Sequence, residues 1–406
     1  MSAARLHLRP LMLPLTTAIS FGLLTLVNSV PELQTIPMNR VLIACVGGFL
    51  GAGKTTALVS ASRELASRGL RVGVITNDQG NQLVDTKVML RQGLTTQEIV
   101  GGCFCCKFNE LVRHAEQILD QGQPDVILAE AVGSCTDLSA TVYQPLRKYY
   151  ASRFDLAPLS ILVEPARIQG FCGYSESSFP ETVEYLFKKQ LAEADLIVLN
   201  KSDLVDLTER QSLHNAIKAT VGEIPIHEMS ALTGDGVAGW VDQLLNGRTA
   251  GTRILEIDYN TYAEAEASLG WLNATVEMTS AAGFSPQEAG QALLEKIRTR
   301  CLGENAAIAH LKILIATAEG SDRIALTESR GEAQWTEGRK FTPVSEASAI
   351  VNARVCLVPE KLKQIVEESV AEVAKDLQVT SSVQDIESFS PSPPRPTHRF
   401  KEAAST

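Results

Sequence analysis

Residues 41–69 read VLIACVGGFLGAGKTTALVSASRELASRG, and this stretch decides the fold. VLIACV (41–46) is an uninterrupted apolar run bounded by glycines, which predicts a strand buried on both faces. Lys54 to Arg68 has helical spacing and stops at Gly69. Between them, Gly48-Phe49-Leu50-Gly51-Ala52-Gly53-Lys54-Thr55-Thr56 matches G-x-x-x-x-G-K-[ST] in its strand–loop–helix setting. Glycines let successive backbone N–H groups turn inward on phosphates, and the helix N-terminus adds a favourable dipole. Lys54 is expected to reach the β- and γ-phosphates and the Thr55 hydroxyl to hold Mg²⁺.

Working outward, RVGVITN (71–77), DVILAE (125–130), LSILVE (159–164), DLIVLN (195–200) and IPIHEMS (224–230) repeat the short apolar run. Most are separated by helix-length stretches. The pattern predicts an α/β P-loop NTPase domain over residues 39–250, with a mostly parallel sheet and helices on both faces. After Gly251 the pattern changes. TRILEID (252–258), WLNATVEM (271–278), LKILIATA (311–318) and AIVNARVCLV (349–358) read as strands. Ser285–Arg300 and Pro359–Lys375 read as helices. A smaller α+β domain with an antiparallel or mixed sheet is expected over 251–376. The Ser/Pro-rich end, residues 377–406, is expected to be disordered. Residues 11–30 are uncharged and follow Arg5 and Arg9. Residues 1–38 are therefore expected to be a disordered leader or misassigned start, the alternative being a targeting or anchoring segment.

Asn200-Lys201-Ser202-Asp203 follows an apolar run. A carboxylate at Asp203 can accept from both guanine N1–H and the 2-amino group, which adenine does not present together. Asn200 and Lys201 are expected to brace that loop and the ring face. Ser230-Ala231 opens a second loop suited to guanine. Glu130 ends DVILAE, where a carboxylate can hold Mg²⁺ through water, and the Gly133 N–H can sense the γ-phosphate. Asp78, at the end of RVGVITN, is a candidate for orienting the attacking water, with a helix or turn cap as its plain structural alternative. Lys54, Asp78 and Glu130 are thus the expected catalytic set.

Cys103, Cys105 and Cys106 crowd three of the eight cysteines into four residues. Thiolates at that spacing converge on a soft or borderline cation, Zn²⁺ first, with Co²⁺ or Fe²⁺ as alternatives. Three ligands leave one position of a tetrahedron for water, a partner or another side chain. Lys107 beside them is expected to lower the thiol pKa values. The remaining cysteines, Cys135 among them, read as scattered singles in apolar surroundings. His114, about two turns into a following helix, and Asp85 are not expected to complete the site.

The formal charge of −10 excludes a general nucleic-acid binder, which needs a basic face. Taken together, GGFLGAGKTT, Glu130-x-x-Gly133, Gly-Gly-Cys-Phe-Cys-Cys and NKSD followed by SALTG resemble the CobW/HypB/UreG family of metallochaperone GTPases, in its CobW-like branch. The resemblance implies GTP binding and hydrolysis coupled to delivery of a transition metal from Cys103, Cys105 and Cys106. It also implies a metal-requiring client protein or cofactor pathway and a nucleotide-dependent homodimer, in the cytoplasm and away from membranes. Two departures stand out. Asn77-Asp78-Gln79-Gly80-Asn81 replaces the Asn-Glu-Phe-Gly-Glu common in such proteins, and Val163-Glu164-Pro165 replaces Val-Asp-Ala. Competing readings are a P-loop small-molecule kinase and a regulatory G protein with structural cysteines.

Overall fold

The computed structural model describes residues 40–77, 95–173, 177–247, 250–329, 331–336 and 338–404. Residues 1–38 and the candidates Asp78, Asn81 and Asp85 lie outside the described residues.

The first part of the chain builds a parallel sheet from β1 (Val41–Gly47), β2 (Val72–Asn77), β3 (Thr95–Ile99), β4 (Val126–Glu130), β5 (Phe154–Leu156), β6 (Ser160–Val163), β7 (Leu196–Leu199) and β8 (Ile226–Glu228). Among the described residues the order is β3-β2-β4-β1-β6-β7-β8, with β5 paired to the start of β1. Side chains of β1 alternate between two cores, as a strand buried on both faces requires. Leu42, Ala44 and Val46 pack under α1 (Lys54–Ser67). Ile43 and Cys45 face the opposite core, to which α2 (Phe108–Gly122) contributes Phe108 and Leu111. A π-turn at Ser139–Tyr143 leads into α3 (Gln144–Tyr150), and α4 (Pro165–Phe171) and α5 (Glu181–Glu193) join that same face. Next come α6 (Leu207–Val221) and α7 (Val237–Asn246), the latter placing Trp240 against the α1 side. The capping box of Asp206 with Glu209 starts α6.

Residues 252–258 do not form the expected strand. Their carbonyls are taken by side chains instead of a neighbouring strand: Lys189 Nζ donates to the Glu256 carbonyl at 2.7 Å and Arg399 to that of Leu255 at 2.8 Å. Asp258 then caps a helix the apolar pattern had not indicated, α8 (Tyr259–Ala267).

The second sheet is antiparallel, ordered β12-β11-β10-β13-β9-β14 among the described residues. Its strands are β9 (Gly270–Phe284), β10 (Ile308–Thr317), β11 (Gly320–Leu326), β12 (Gln334–Trp335), β13 (Val344–Val355) and β14 (Thr380–Phe389). The helices α9 (Pro286–Gly303) and α10 (Pro359–Asp376) cover one face through Leu293, Ile297, Leu362 and Ile365. The expectation of disorder from residue 377 is corrected here. Val383 and Ile386 pack on the sheet core, and Phe389 stacks against Trp271 at 6.1 Å, so β14 has apolar anchors that its polar composition conceals.

Candidate functional site

The phosphate loop leaves the C-terminal end of β1, the end where parallel sheets bind ligands. Gly48 has φ 125°, and a Cβ there would lie 2.1 Å from the Leu162 carbonyl oxygen, so only glycine fits. Gly51 and Gly53 share the positive φ, at 87° and 85°. Lys54 folds back over the loop, its Nζ donating to the carbonyls of Gly48 at 2.7 Å and Phe49 at 3.3 Å. The buried Thr55 hydroxyl donates to Glu130 Oε1 at 3.0 Å. A hydroxyl beside a carboxylate is a hard-oxygen donor set, and it fits Mg²⁺.

The loop after β7 meets the phosphate loop directly. Asn200 Nδ2 donates to the Ala52 carbonyl at 2.8 Å, and Asn200 Oδ1 accepts the Ala231 N–H at 2.9 Å. One side chain therefore ties three predicted segments together. The carbonyl of Ala231 also accepts from Ser60 of α1 at 2.7 Å, and Ser230 is buried. Asp203 lies on a short turn at the rim of a cleft of about 430 Å³, which Gly51, Gly53, Lys54, Thr55, Thr56, Glu130 and Ser230 also line. Lys201, at φ 58°, takes a different partner from the ring face: it pairs with buried Glu164 and donates to Thr327 Oγ1 at 3.2 Å. Glu164, the departure from the usual aspartate, thereby links the loop after β7 to the second sheet. Arg167 reinforces the link by donating to the carbonyls of Ile308, Ala309 and Thr327.

The three motif thiols lie together. Sγ–Sγ distances are 2.8 Å for Cys103–Cys105, 3.5 Å for Cys103–Cys106 and 3.7 Å for Cys105–Cys106. They sit on a tight turn in which the N–H groups of Cys106 and Lys107 both bond the Cys103 carbonyl, at 3.1 and 2.9 Å. A tetrahedron with zinc–sulfur bonds of about 2.3 Å has sulfur–sulfur edges of about 3.8 Å; the two Cys106 spacings approach that edge, and Cys103 and Cys105 would have to part by about 1 Å to complete one face. Lys107 does not act on the thiols as expected, because its ammonium pairs with Glu110 at 3.1 Å. His114 stays apart on α2, against Gln97 at 3.2 Å.

Two residues that sequence reasoning passed over belong here. Asn77, at the end of β2, lines the nucleotide cleft and donates to the carbonyls of Ile99 at 3.1 Å and Gly102 at 2.6 Å, which positions the cysteine turn. Cys135, read as an isolated cysteine, is fully buried in the same core as Cys103 and Cys105, and its thiol donates to the Thr136 carbonyl at 3.9 Å. The neighbouring thiols Cys103 and Cys105 hold the Cys135 thiol below its ordinary value, against the effect of its burial. The Cys105 thiol is raised by its bond to Cys103, and the Cys106 thiol is pushed up to about 11, again chiefly by Cys103. Nothing in the sequence spacing marks Cys135, which lies 29 positions past Cys106 in the numbering.

The C-terminal segment crosses the thiols. The Arg395 N–H donates to Cys106 Sγ at 3.1 Å, the Thr397 N–H to the Cys105 carbonyl at 2.8 Å, and the Thr397 hydroxyl to the Cys106 carbonyl at 3.1 Å. His398 meets the edge of Phe108 at 5.2 Å, and Arg399 pairs with Asp137 at 2.7 Å.

Several known proteins are similar to this chain. The chain is 33% identical over 178 residues to the zinc chaperone YeiR of Escherichia coli K12, covering 41% of this chain and 48% of that protein. It is 28% identical over 223 residues to the zinc chaperone CobW of Pseudomonas aeruginosa, covering 47% and 57%. It is 25% identical over 195 residues to the zinc chaperone YjiA of E. coli K12, covering 48% and 58%. The chain therefore spans about half the length of the curated relatives it matches. The family description "CobW/HypB/UreG, nucleotide-binding domain" matches residues 42–228, and over those residues the chain is similar to that family.

Proposed function

We propose that this protein is a GTP-hydrolysing metallochaperone that takes up zinc at Cys103, Cys105 and Cys106 and passes it to a metal-requiring client. The observation that carries the reading is Asn77: one side chain lines the nucleotide cleft and holds the turn that presents the thiols. The zinc chaperones among the relatives support the choice of cargo. Co²⁺ or Fe²⁺ would use the same thiols less selectively.

In this reading Lys54 neutralises the β- and γ-phosphates, and Thr55 with Glu130 holds Mg²⁺ at the loop mouth. When bound, the ion offsets charge that develops on the phosphate oxygens. Asp203 selects guanine, while Asn200 keeps its loop registered on the phosphate loop and on Ala231. Asp78 is assigned the attacking water. Residues 39–250 act as the nucleotide module, and GTP-dependent pairing of two copies accompanies loading. No helix among the described residues is long and apolar enough to cross a membrane, and a cytoplasmic site of action is proposed. A small-molecule kinase is disfavoured by NKSD, since kinases rarely need guanine selection.

The test is a zinc titration of the full chain with GDP and with a non-hydrolysable GTP analogue, alongside a triple Cys103→Ser, Cys105→Ser, Cys106→Ser variant. Coupling requires different zinc affinities in the two nucleotide states. Equal affinities, or undiminished binding by the triple variant, would sink the reading.

A further inference from the structure

After β14 the described chain has no helix or strand, yet from Ser390 to Ala404 it runs along the body of the protein. The Ser390 hydroxyl donates to the Ala267 carbonyl at 3.3 Å, and Pro391 and Pro394 are buried. The segment then crosses the thiols. The Arg395 N–H donates to Cys106 Sγ at 3.1 Å. The N–H and hydroxyl of Thr397 hold the carbonyls of Cys105 and Cys106, at 2.8 and 3.1 Å. Past the thiols the chain is fastened to α3 and the π-turn before it. The Phe400 N–H donates to the Ala140 carbonyl at 3.1 Å and the Ala404 N–H to Gln144 Oε1 at 2.7 Å. His398 meets the rings of Phe108 and Tyr149, at 5.2 and 5.5 Å.

One ion pair secures this far end. Arg399 Nε donates to Asp137 Oδ2 at 2.7 Å and its Nη2 to the Leu255 carbonyl at 2.8 Å. Asp137 is buried and also accepts from the Tyr259 hydroxyl at 2.8 Å. It stands on the stretch that continues from Glu130 and Gly133, both of which line the nucleotide cleft.

Cys103 and Cys105 are buried and Cys106 is half-buried, so Cys106 is the thiol on the solvent side. The segment lies on that side. A chain with no ladder of its own, held by a few discrete bonds and with Ser392, Pro393, Arg395 and Thr397 exposed, opens at lower cost than the sheet it follows. Hydrogen bonds to a metal ligand from outside its shell orient that ligand and strengthen its hold. We propose that residues 391–404 are a strap that retains the cargo metal: it closes over the Cys-x-Cys-Cys turn, with Arg399 and Asp137 as its latch, and zinc enters and leaves when the strap lifts.

The inference rests on the function proposed above, and the two can fail separately. The full chain carrying one equivalent of zinc is mixed with an excess of a chromogenic chelator, and its release rate is compared with that of a chain ending at Ser390. Release is expected to be about tenfold or more faster from the shortened chain, and several-fold faster from Arg399→Gln. Lys401→Ala removes the same charge from an exposed neighbour and should leave the rate unchanged. Equal or slower release from the shortened chain overturns the strap, and so does an acceleration by Lys401→Ala that matches Arg399→Gln. Amide exchange in the unaltered, zinc-loaded chain needs no variant to fold. The Thr397 and Phe400 N–H groups are expected to exchange more slowly than that of Ser392, and exchange of all three at the rate of an unstructured peptide overturns the strap as well. If the triple variant of the motif cysteines keeps its zinc, the functional reading itself has failed. If it loses zinc while the full and shortened chains release theirs at one rate, only the strap is wrong.

Discussion

Gly48 and Glu193 illustrate two ways in which a single residue sets what this molecule tolerates. At Gly48 the backbone adopts φ 125° and the Leu162 carbonyl occupies the place of a side chain. Gly48→Ala is expected to cost about 1–3 kcal/mol in denaturant unfolding from backbone strain, and to abolish nucleotide binding in the same sample. Unchanged stability would mean that β6 yields at no cost. Glu193 is fully buried, and its carboxyl is raised from 4.5 to about 8, by burial first and by the charge of Asp137 second. A folded-state pKa above the unfolded one means that the folded protein holds the extra proton. The stability contributed is therefore complete below 4.5 and is lost as pH rises through about 8. Glu193→Gln should flatten the fall in melting temperature between about pH 5 and about pH 9. A slope equal to that of the unaltered protein would show that Glu193 is ionised when folded. Contiguity decides which such residues can be read in a sequence. Lys54, Thr55, Cys103, Cys105 and Cys106 announce themselves because each belongs to a motif that is contiguous in the chain. Asn77 does not, because its partners Ile99 and Gly102 are brought in by strand order and by the turn before α2.

Among the elements, β1, β2, β4, β6 and β7 were legible because strands covered on both faces must be continuously apolar. The helices α9 and α10 were legible because each has proline at its first position and an apolar face. The segment 252–258 misled through Ile254, Leu255 and Ile257, since composition carries no information on whether a neighbouring strand is present. β14 and the segment after it erred the other way. Ser and Pro signal a chain unable to bury itself, yet Pro391 and Pro394 are buried and the N–H groups of Arg395 and Thr397 are both used. Because the Arg395 N–H bonds Cys106 Sγ, removing residues 391–404 should uncover that thiol while leaving β14 in place. Alkylation of Cys106 in the metal-free protein, followed by mass spectrometry, is expected to be several-fold faster in the truncated chain. An unchanged rate would show that the segment does not shield the cluster.

For the whole molecule, the apolar pattern foretold two sheets of different kind but not that the second would border the nucleotide cleft. A Cβ on Gly51 would meet Thr327 at 2.8 Å, and the cleft is lined by Lys201 and Asp203 from one sheet and by His310, Lys312 and Thr327 from the other. These contacts join residues more than a hundred positions apart, which local patterns do not encode. Their consequence is thermodynamic. A ligand that binds only the folded state stabilises it by about 2.7 kcal/mol at a hundred times its Kd. If both sheets form the cleft, guanine nucleotide with Mg²⁺ should raise the unfolding midpoint of each. The three tryptophans report separately: Trp240 lies in α7 on the first sheet, and Trp271 and Trp335 lie in the second. A Trp240→Phe variant reads the second sheet, and a Trp271→Phe, Trp335→Phe variant reads the first. GDP with Mg²⁺ is expected to shift both midpoints upward together, ATP neither, and Asp203→Asn should erase the difference between the two nucleotides. A shift confined to Trp240 would remove the second sheet from the site and leave the Lys201–Glu164–Thr327 contact as packing alone.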